Sequence, residues 1–359
     1  MSRGTKAIIS FKNLRNNLKV LKELAPGKLV LVVKADAYGH GLKKVVQALD
    51  HVDCFAVATI DEALIVRKYK PEARVLLLEG FLDKNELETA FKYKFDCVIH
   101  QQEQLEMLNT FKTNSVMNIW LKYDSGMNRL GFSDDEYSQA INSIENCNNV
   151  NELILMSHLA SANEKQNVFN SQQAQRFLKF SKNHQLSFSN SSALLNKTYL
   201  EDEWCRVGLA LFGVSPIEEH KADYYDLKPV MTLITNVIGI KHVNRGETIG
   251  YGQTYTAKND KQIAIIGIGY GDGYPWSLND TAYVSIHQQK AEIVGRVSMD
   301  MMAVDISNIK DTKIGDKVLI WGENNKGKLP LEIVAGNANS IPYVLLCQIT
   351  ARVHYHYVE

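Results

Sequence analysis

The segment Val32-Val33-Lys34-Ala35-Asp36-Ala37-Tyr38-Gly39-His40-Gly41 governs the reading of the whole chain. Just ahead of Lys34, Leu29 to Val33 are all apolar, and an unbroken apolar run this short reads as a strand buried on both faces. Lys34 therefore stands where a buried strand gives way to a glycine-bearing turn. An ammonium held there loses hydration, and desolvation lowers a lysine pKa from about 10.4 toward the range where the free amine is a nucleophile. A lone strand-end lysine more often buries only its stem and keeps its head in water. The choice rests on what the other strand ends carry.

Working outward, similar apolar runs start near Leu29, Phe55, Arg74, Cys97, Val116, Leu153, Leu186 and Trp204. Amphipathic stretches such as Asp61 to Val66 and Lys84 to Lys94 lie between them. Eight strands alternating with helices predict an α/β fold, a (β/α)8 barrel of TIM type. A doubly wound sheet is the rival, but it usually has fewer strands and a G-x-G-x-x-G loop, which does not follow the first run. The runs finish at or beside Lys34, Thr59, Glu79, His100, Lys122, His158, Asn190-Ser191 and Arg206. In a barrel these positions converge on the carboxyl-end rim, where such folds keep their chemistry.

Elsewhere, a helix is expected from Ser10, with Leu14, Leu18 and Leu21 on one face and Pro26-Gly27 as its stop. Past Phe212-Gly213 the texture changes to short strands: Met231 to Ile240, Ile263 to Ile268, Ala291 to Val297, Met302 to Ile306 and Lys317 to Trp321. A helix near Leu331 to Asn339 and a last strand near Val344 to Val353 complete a mainly β C-terminal domain. The division predicted is 1–226 for the barrel and 227–359 for the β domain.

At 359 residues, with 40 basic and 40 acidic side chains evenly mixed, nothing asks for nucleic acid or an anionic membrane. The five cysteines are scattered and include no C-x-x-C pair, which argues for free thiols in a reducing compartment and against a metal site. With neither an apolar leader nor a run of membrane-span length, a cytoplasmic location is expected.

Phosphate needs converging donors and little bulk, and barrels commonly build that site from the loops after strands seven and eight. Those loops hold Asn190-Ser191-Ser192 and Arg206-Val207-Gly208, with Tyr38 reaching across from the first loop. Two ordinary strand-to-helix turns would read the same way. Gly267-Ile268-Gly269-Tyr270-Gly271-Asp272-Gly273 invites a dinucleotide reading, but the third glycine would fall on Asp272 and Pro275 follows where a helix should start.

These stretches together resemble the alanine racemases, pyridoxal-phosphate enzymes, over nearly the whole chain. VVKADAYGHG matches the cofactor-lysine motif, with Lys34 as the Schiff-base lysine and Tyr38 as a phosphate contact. Asn190-Ser191 and Arg206 to Gly208 match the remaining phosphate and ring contacts. The resemblance implies that Arg206 faces the pyridine nitrogen and keeps it unprotonated, weakening the electron sink and favouring return of the proton to Cα. Leu121-Lys122-Tyr123-Asp124-Ser125-Gly126-Met127-Asn128-Arg129-Leu130-Gly131 implies that Arg129 orients the substrate carboxylate. Lys122 matches a lysine that is carbamylated in some members.

Racemisation removes a proton from one face of Cα and returns it to the other. The resemblance accordingly implies two bases, Lys34 and, from the motif around Gly250-Tyr251-Gly252, Tyr251. A phenol titrating near pH 10 needs polar neighbours to act as a base, and His158 of Ser157-His158-Leu159-Ala160 is the implied link to Arg206. Residue type alone would make Tyr251 a turn aromatic, His158 a core histidine and Met299 ordinary packing. By resemblance Met299 lies near the substrate carboxylate, while Tyr270, Asp300 and Tyr343 support the approach to the site. A head-to-tail homodimer is implied, each β domain completing its partner's barrel. One departure is Ala351, where some relatives carry a tyrosine beside the substrate. A racemase of broader specificity (alanine and serine), a decarboxylase on the same architecture and a barrel that only carries the cofactor are the competing readings.

Overall fold

The computed structural model describes residues 3–181, 183–198, 202–325 and 327–359. It divides into two compact units, Leu18–Leu211 and, together, Met1–Asn17 with Phe212–Glu359. The first seventeen residues thus group with the β unit, whereas a division at 226/227 assigns them to the barrel.

In the unit Leu18–Leu211, eight parallel strands run Lys28–Val32, Cys54–Val57, Val75–Leu77, Asp96–Ile99, Met117–Lys122, Val150–Met156, Gln185–Ser187 and Trp204–Val207. Neighbours in sequence are neighbours in space, and the eighth pairs with the first, Val30 opposite Arg206. That order is a barrel's. A doubly wound sheet would reverse its strand order at a switch point. The seam between the seventh and eighth strands is closed by individual bonds: Ser187 Oγ to the Trp204 carbonyl at 2.8 Å and the Arg206 amide to the Ser189 carbonyl at 3.1 Å.

The strands form because their residues are buried on both faces. Every position of Cys54–Val57, Val75–Leu77 and Asp96–Ile99 is buried. The helices behind them start on side-chain caps: Thr59 before Ile60–Tyr69, Asp83 before Lys84–Tyr93, a Ser133/Glu136 capping box before Asp134–Glu145, and Asn167 before Val168–Leu178. Inside, alternation along the strands stacks side chains in layers. Trp120 and Trp204 meet edge to face with ring centroids 5.4 Å apart. Arg74 lies 4.6 Å above the Trp204 ring and bridges Asp96 and Glu152 at 2.6 and 2.7 Å. This lower layer fills the lumen, and Lys122 and Arg206, each two residues further along, face it one layer up.

In the other unit a nine-stranded sheet is threaded by the chain's start. Lys6–Ser10 pairs antiparallel with Met231–Val243 and parallel with His354–Val358. Its alternation, with Ala7 and Ile9 buried, covers only five residues, too short a signal to stand out before a strong helix. The strand expected near Val344 to Val353 is instead a helix, Pro342–Cys347, followed by a turn and the strand His354–Val358. Pro342 sits at the first helical positions, where its fixed φ favours a helix, and Leu345 and Leu346 are the buried face of what looked like a strand run. Among the described residues no helix is long and apolar enough to cross a membrane.

Candidate active site

Lys34 does not open an ordinary loop. The four residues after it, Ala35, Asp36, Ala37 and Tyr38, have φ of 52°, 52°, 55° and 51°, a left-handed turn made without glycine. L-residues resist that conformation by about 1–2 kcal/mol each, so the surroundings must supply what the backbone lacks. His40 does so from inside: its Nδ1–H reaches the carbonyls of Ala37 at 3.0 Å and Tyr38 at 2.9 Å. Asp36 accepts from the Leu42 amide at 2.7 Å, and its own amide donates to Glu62 at 3.3 Å. Ala37 and Tyr38 are buried by the winding.

The turn carries Tyr38 across to Gly208. A Cβ on Gly208 would lie 2.5 Å from the Tyr38 hydroxyl oxygen, so only glycine fits. The Gly208 amide in turn donates to Ser191 Oγ at 3.0 Å. Three residues read as a phosphate cradle are thus side by side. Asn190 caps the helix Ser191–Asn196, its side-chain oxygen accepting from the Ala193 amide at 3.0 Å, which helps fix Ser191 in place.

Arg206 is buried in the upper layer of the lumen. Its guanidinium donates to Ser187 Oγ and the Ser157 carbonyl, each at 2.6 Å, and to the Phe188 carbonyl at 3.3 Å. Burial pulls its pKa down to about 10, which still leaves it charged near neutrality. One nitrogen also lies 3.0 Å from His158 Nδ1. A guanidinium can only donate, so Nδ1 accepts and the His158 proton sits on Nε2. Burial first, then the charges of Arg206, Lys122, Arg129 and Lys34, hold this imidazole neutral, well below its usual range.

The sequence led us to expect an enclosed Lys34, but the structure leaves it half-buried. Lys122 is buried, and burial, then Arg206 and Arg129, pull its pKa down to about 8. Arg129 itself is exposed on the loop after that strand, where Asp124 accepts from the Gly126 and Asn128 amides at 2.9 and 3.0 Å. Lys34, Lys122, Arg129 and Arg206 share one region with the carboxylates of Asp124, which acts on Lys122, and Asp202, which acts on Arg206. Such a field attracts anions.

The remaining predicted residues belong to the other unit, and most are open to solvent. Tyr251, on a one-turn 3-10 helix between Gly250 and Gly252, is 71% exposed. Met299 and Tyr270 are exposed neighbours, the Tyr270 amide bonding the Ser298 carbonyl at 3.1 Å. Asp300 pairs with Arg352 at 2.5 Å, and Tyr343 is half-buried on the helix Pro342–Cys347. Asp272, where a dinucleotide loop would need glycine, is buried; it accepts from the Gly269 amide at 3.0 Å and is bonded by Arg3.

Sequence reasoning gave no role to His40, Asp36, Gln173 or Asp202. Gln173, fully buried, bridges Ser125 Oγ and the His158 carbonyl at 3.0 Å each and accepts from the Ala160 amide at 2.9 Å, tying the Arg129 loop to the His158 loop. Asp202 accepts from the Phe188 and Ser189 amides at 2.9 and 2.7 Å. Only His40 and Asp36 carried a signal, their place inside the lysine segment.

A closed ring of parallel strands with a cluster of cations at its carboxyl ends defines a barrel enzyme built around an anionic ligand. Residues 9–216 match the family described as alanine racemase, N-terminal domain, and residues 230–357 the alanine racemase C-terminal domain. The alanine racemase of Nitrosococcus oceani is 40% identical over 350 residues, 97% of either chain, and that of Coxiella burnetii 36% identical over the full length of both. Among solved structures, the biosynthetic alanine racemase of Pseudomonas aeruginosa superposes with a TM-score of 0.96 at 37% identity, covering 100% of both chains. The Bartonella henselae alanine racemase, with covalently bound pyridoxal phosphate, does so with a TM-score of 0.88 at 28% identity, over 99% of this chain and 100% of that one. The chain belongs to the alanine racemase family.

Two outcomes test the account of the turn. Ala35→Gly, at an exposed left-handed position, should stabilise the protein by about 1 kcal/mol in urea unfolding, where most such changes destabilise. His40, buried, has its pKa lowered from 6.5 to about 4 by burial, so between those values the unfolded chain binds more protons. Its contribution is complete above pH 6.5 and falls away as the pH drops to about 4, by about 3 kcal/mol in all. His40→Asn should flatten that part of the stability profile; an unaltered profile would assign the acid sensitivity to other groups.

Proposed function

We propose that the protein interconverts L-alanine and D-alanine, with pyridoxal 5'-phosphate held at the barrel mouth by Lys34, and that it supplies D-alanine for peptidoglycan. The observation carrying this reading is Arg206: a buried guanidinium fixed by Ser157, Ser187 and Phe188, with cations around it and a neutral imidazole beside it. A decarboxylase of this architecture would call for an acid there.

The chain's own groups suit the cofactor. The Tyr38 and Ser191 hydroxyls and the Gly208 amide lie together with no side-chain bulk at position 208, the kind of donors a phosphate takes. Arg206 offers a cation toward a ring nitrogen, His158 supports it, and Asn190 holds Ser191. When bound, the cofactor supplies an electron-withdrawing ring that loosens the Cα hydrogen of the substrate. Lys34 Nζ takes or returns that proton on one face. Tyr251 Oη does so on the other, and it comes from a second copy of the chain in a head-to-tail homodimer. Arg129 orients the substrate carboxylate together with Met299; a carbamylated Lys122, as some members carry, would supply a carboxylate to hold that guanidinium. Tyr270, Asp300 and Tyr343 shape the approach.

The exposure of Tyr251, Trp276, Tyr270, Met299 and Met301 in the β unit supports the dimer, because so many large apolar side chains in one region mark a surface that a partner covers. The charge balance and scattered free thiols fit a cytoplasmic enzyme. A racemase that also accepts serine is the second reading, since Ala351 leaves space where a tyrosine would stand.

An absorbance spectrum and an L- to D-alanine assay test the proposal directly. Lys34→Ala should lose the visible band of the bound cofactor; a retained band would remove Lys34 from its role. Tyr251→Phe should keep that band yet slow hydrogen exchange from L-alanine into deuterated water by orders of magnitude, more than exchange from D-alanine. Wild-type exchange from both enantiomers would eliminate Tyr251 as the second base.

A further inference from the structure

Asp272 is a buried carboxylate that the reaction above leaves without a task; its side chain is 1% exposed. It ends the one-turn 3-10 helix Tyr270–Asp272 and accepts from the Gly269 amide at 3.0 Å. Two guanidiniums meet it. Arg3 bonds it directly, and Arg352 Nε lies 3.5 Å from its other oxygen. A buried carboxylate needs such partners, because an unpaired charge held out of water is strongly unfavourable.

The Arg3 guanidinium reaches further than Asp272. Its Nε donates to the Gly267 carbonyl at 3.2 Å, and Nη2 donates also to the Asp300 carbonyl at 3.0 Å. Gly267 and Asp272 bracket the loop that carries Tyr270, while Asp300 follows Met299 directly. Backbone bonds zip these two loops together, from the Tyr270 amide to the Ser298 carbonyl at 3.1 Å and from the Gly271 amide to the Met299 carbonyl at 2.8 Å. They lie so close that a Cβ on Gly269 would be 2.1 Å from the Ser298 carbonyl oxygen. A third loop joins them: the Thr350 amide donates to the Asp272 carbonyl at 3.2 Å and the Thr350 hydroxyl to the Gly271 carbonyl at 2.9 Å.

Arg3 is itself anchored to the β sheet. The Asn236 amide donates to the Arg3 carbonyl at 3.2 Å, the Thr5 hydroxyl donates to the Gly267 carbonyl at 2.5 Å, and the strand Lys6–Ser10 follows. Tyr270 and Met299 are exposed, so packing around their side chains does not fix them; the backbone beneath them must.

We propose that Arg3 is a positioning residue for the substrate approach: through Asp272 and the Gly267 and Asp300 carbonyls it holds the Tyr270 and Met299 loops in one arrangement. The inference rests on the roles given above to Tyr270, Met299 and Asp300. In the dimer of that reading, the amino end of one chain shapes the entrance to the other chain's site. A lysine would bring the charge but not the planar fork that reaches a carboxylate and two carbonyls at once.

Hydrogen exchange of the full-length protein, followed by peptide mass spectrometry, reads the loops directly. Arg3→Ala should speed exchange across residues 268–273 by about tenfold, because the bonds closing that loop open more often. Arg352 stays beside Asp272 in this variant, so the carboxylate keeps a cation. Arg3→Lys should fall between. In turnover, Arg3→Ala should raise KM for alanine by about tenfold with kcat changed by less than about twofold, and Arg3→Lys should raise it by about threefold. Ile9→Val, which loosens the buried face of the same strand and spares the Arg3 bonds, should lower stability yet leave loop exchange and KM unchanged. Wild-type exchange or KM in Arg3→Ala, a fall in its kcat alone, or an equal rise in KM from Ile9→Val would overturn the proposal. An inactive wild-type protein would overturn the racemase reading alone, since the exchange result stands without turnover.

Discussion

Everything at the barrel mouth depends on a turn wound the wrong way for L-amino acids. Were the backbone after Lys34 right-handed, Tyr38 would leave the rim on a different heading and the gap it fills against Gly208 would stay open. Four consecutive non-glycine residues in the left-handed region hold only where surrounding bonds over-determine them. Here the imidazole of His40 grips two carbonyls while Asp36 anchors both ends of the winding. Strain of this kind is common where a side chain must be aimed rather than merely packed.

The second constraint is electrostatic. Of the four cations gathered in one region, Lys122 and Arg206 are buried, and the protein moderates the repulsion there. His158 gives up its proton, Lys122 holds its own loosely, and Arg206 is wrapped in carbonyl and hydroxyl oxygens. Such a field draws an anionic ligand to the barrel mouth.

Much of this was legible in the chain. The eight parallel strands start within a few residues of the apolar runs, because a strand buried on both faces leaves a continuous signature. The polar residues closing those runs are the ones the rim brings together. What escaped was of two kinds. Lys6–Ser10 was too short to announce itself, and the Leu345-Leu346 pair cannot tell a strand from a helix without weighing Pro342. The hand of the turn after Lys34 was illegible for another reason: alanine and tyrosine resist it, and the His40 and Asp36 bonds that hold it follow no pattern a sequence displays. Gln173 was no more legible, since its partners lie on two separate loops, one holding Ser125 and the other His158 and Ala160.

The pairing of Lys6–Ser10 with His354–Val358 also bears on how the molecule is made. Ribosomes deliver residues in order, so this strand emerges with one neighbour more than two hundred residues away and the other more than three hundred. Until both are made its edges stay open, a template for wrong partners. The intervening barrel, whose contacts join successive segments, can assemble meanwhile, leaving the β sheet as the last part to close and the part most in need of a chaperone's shelter.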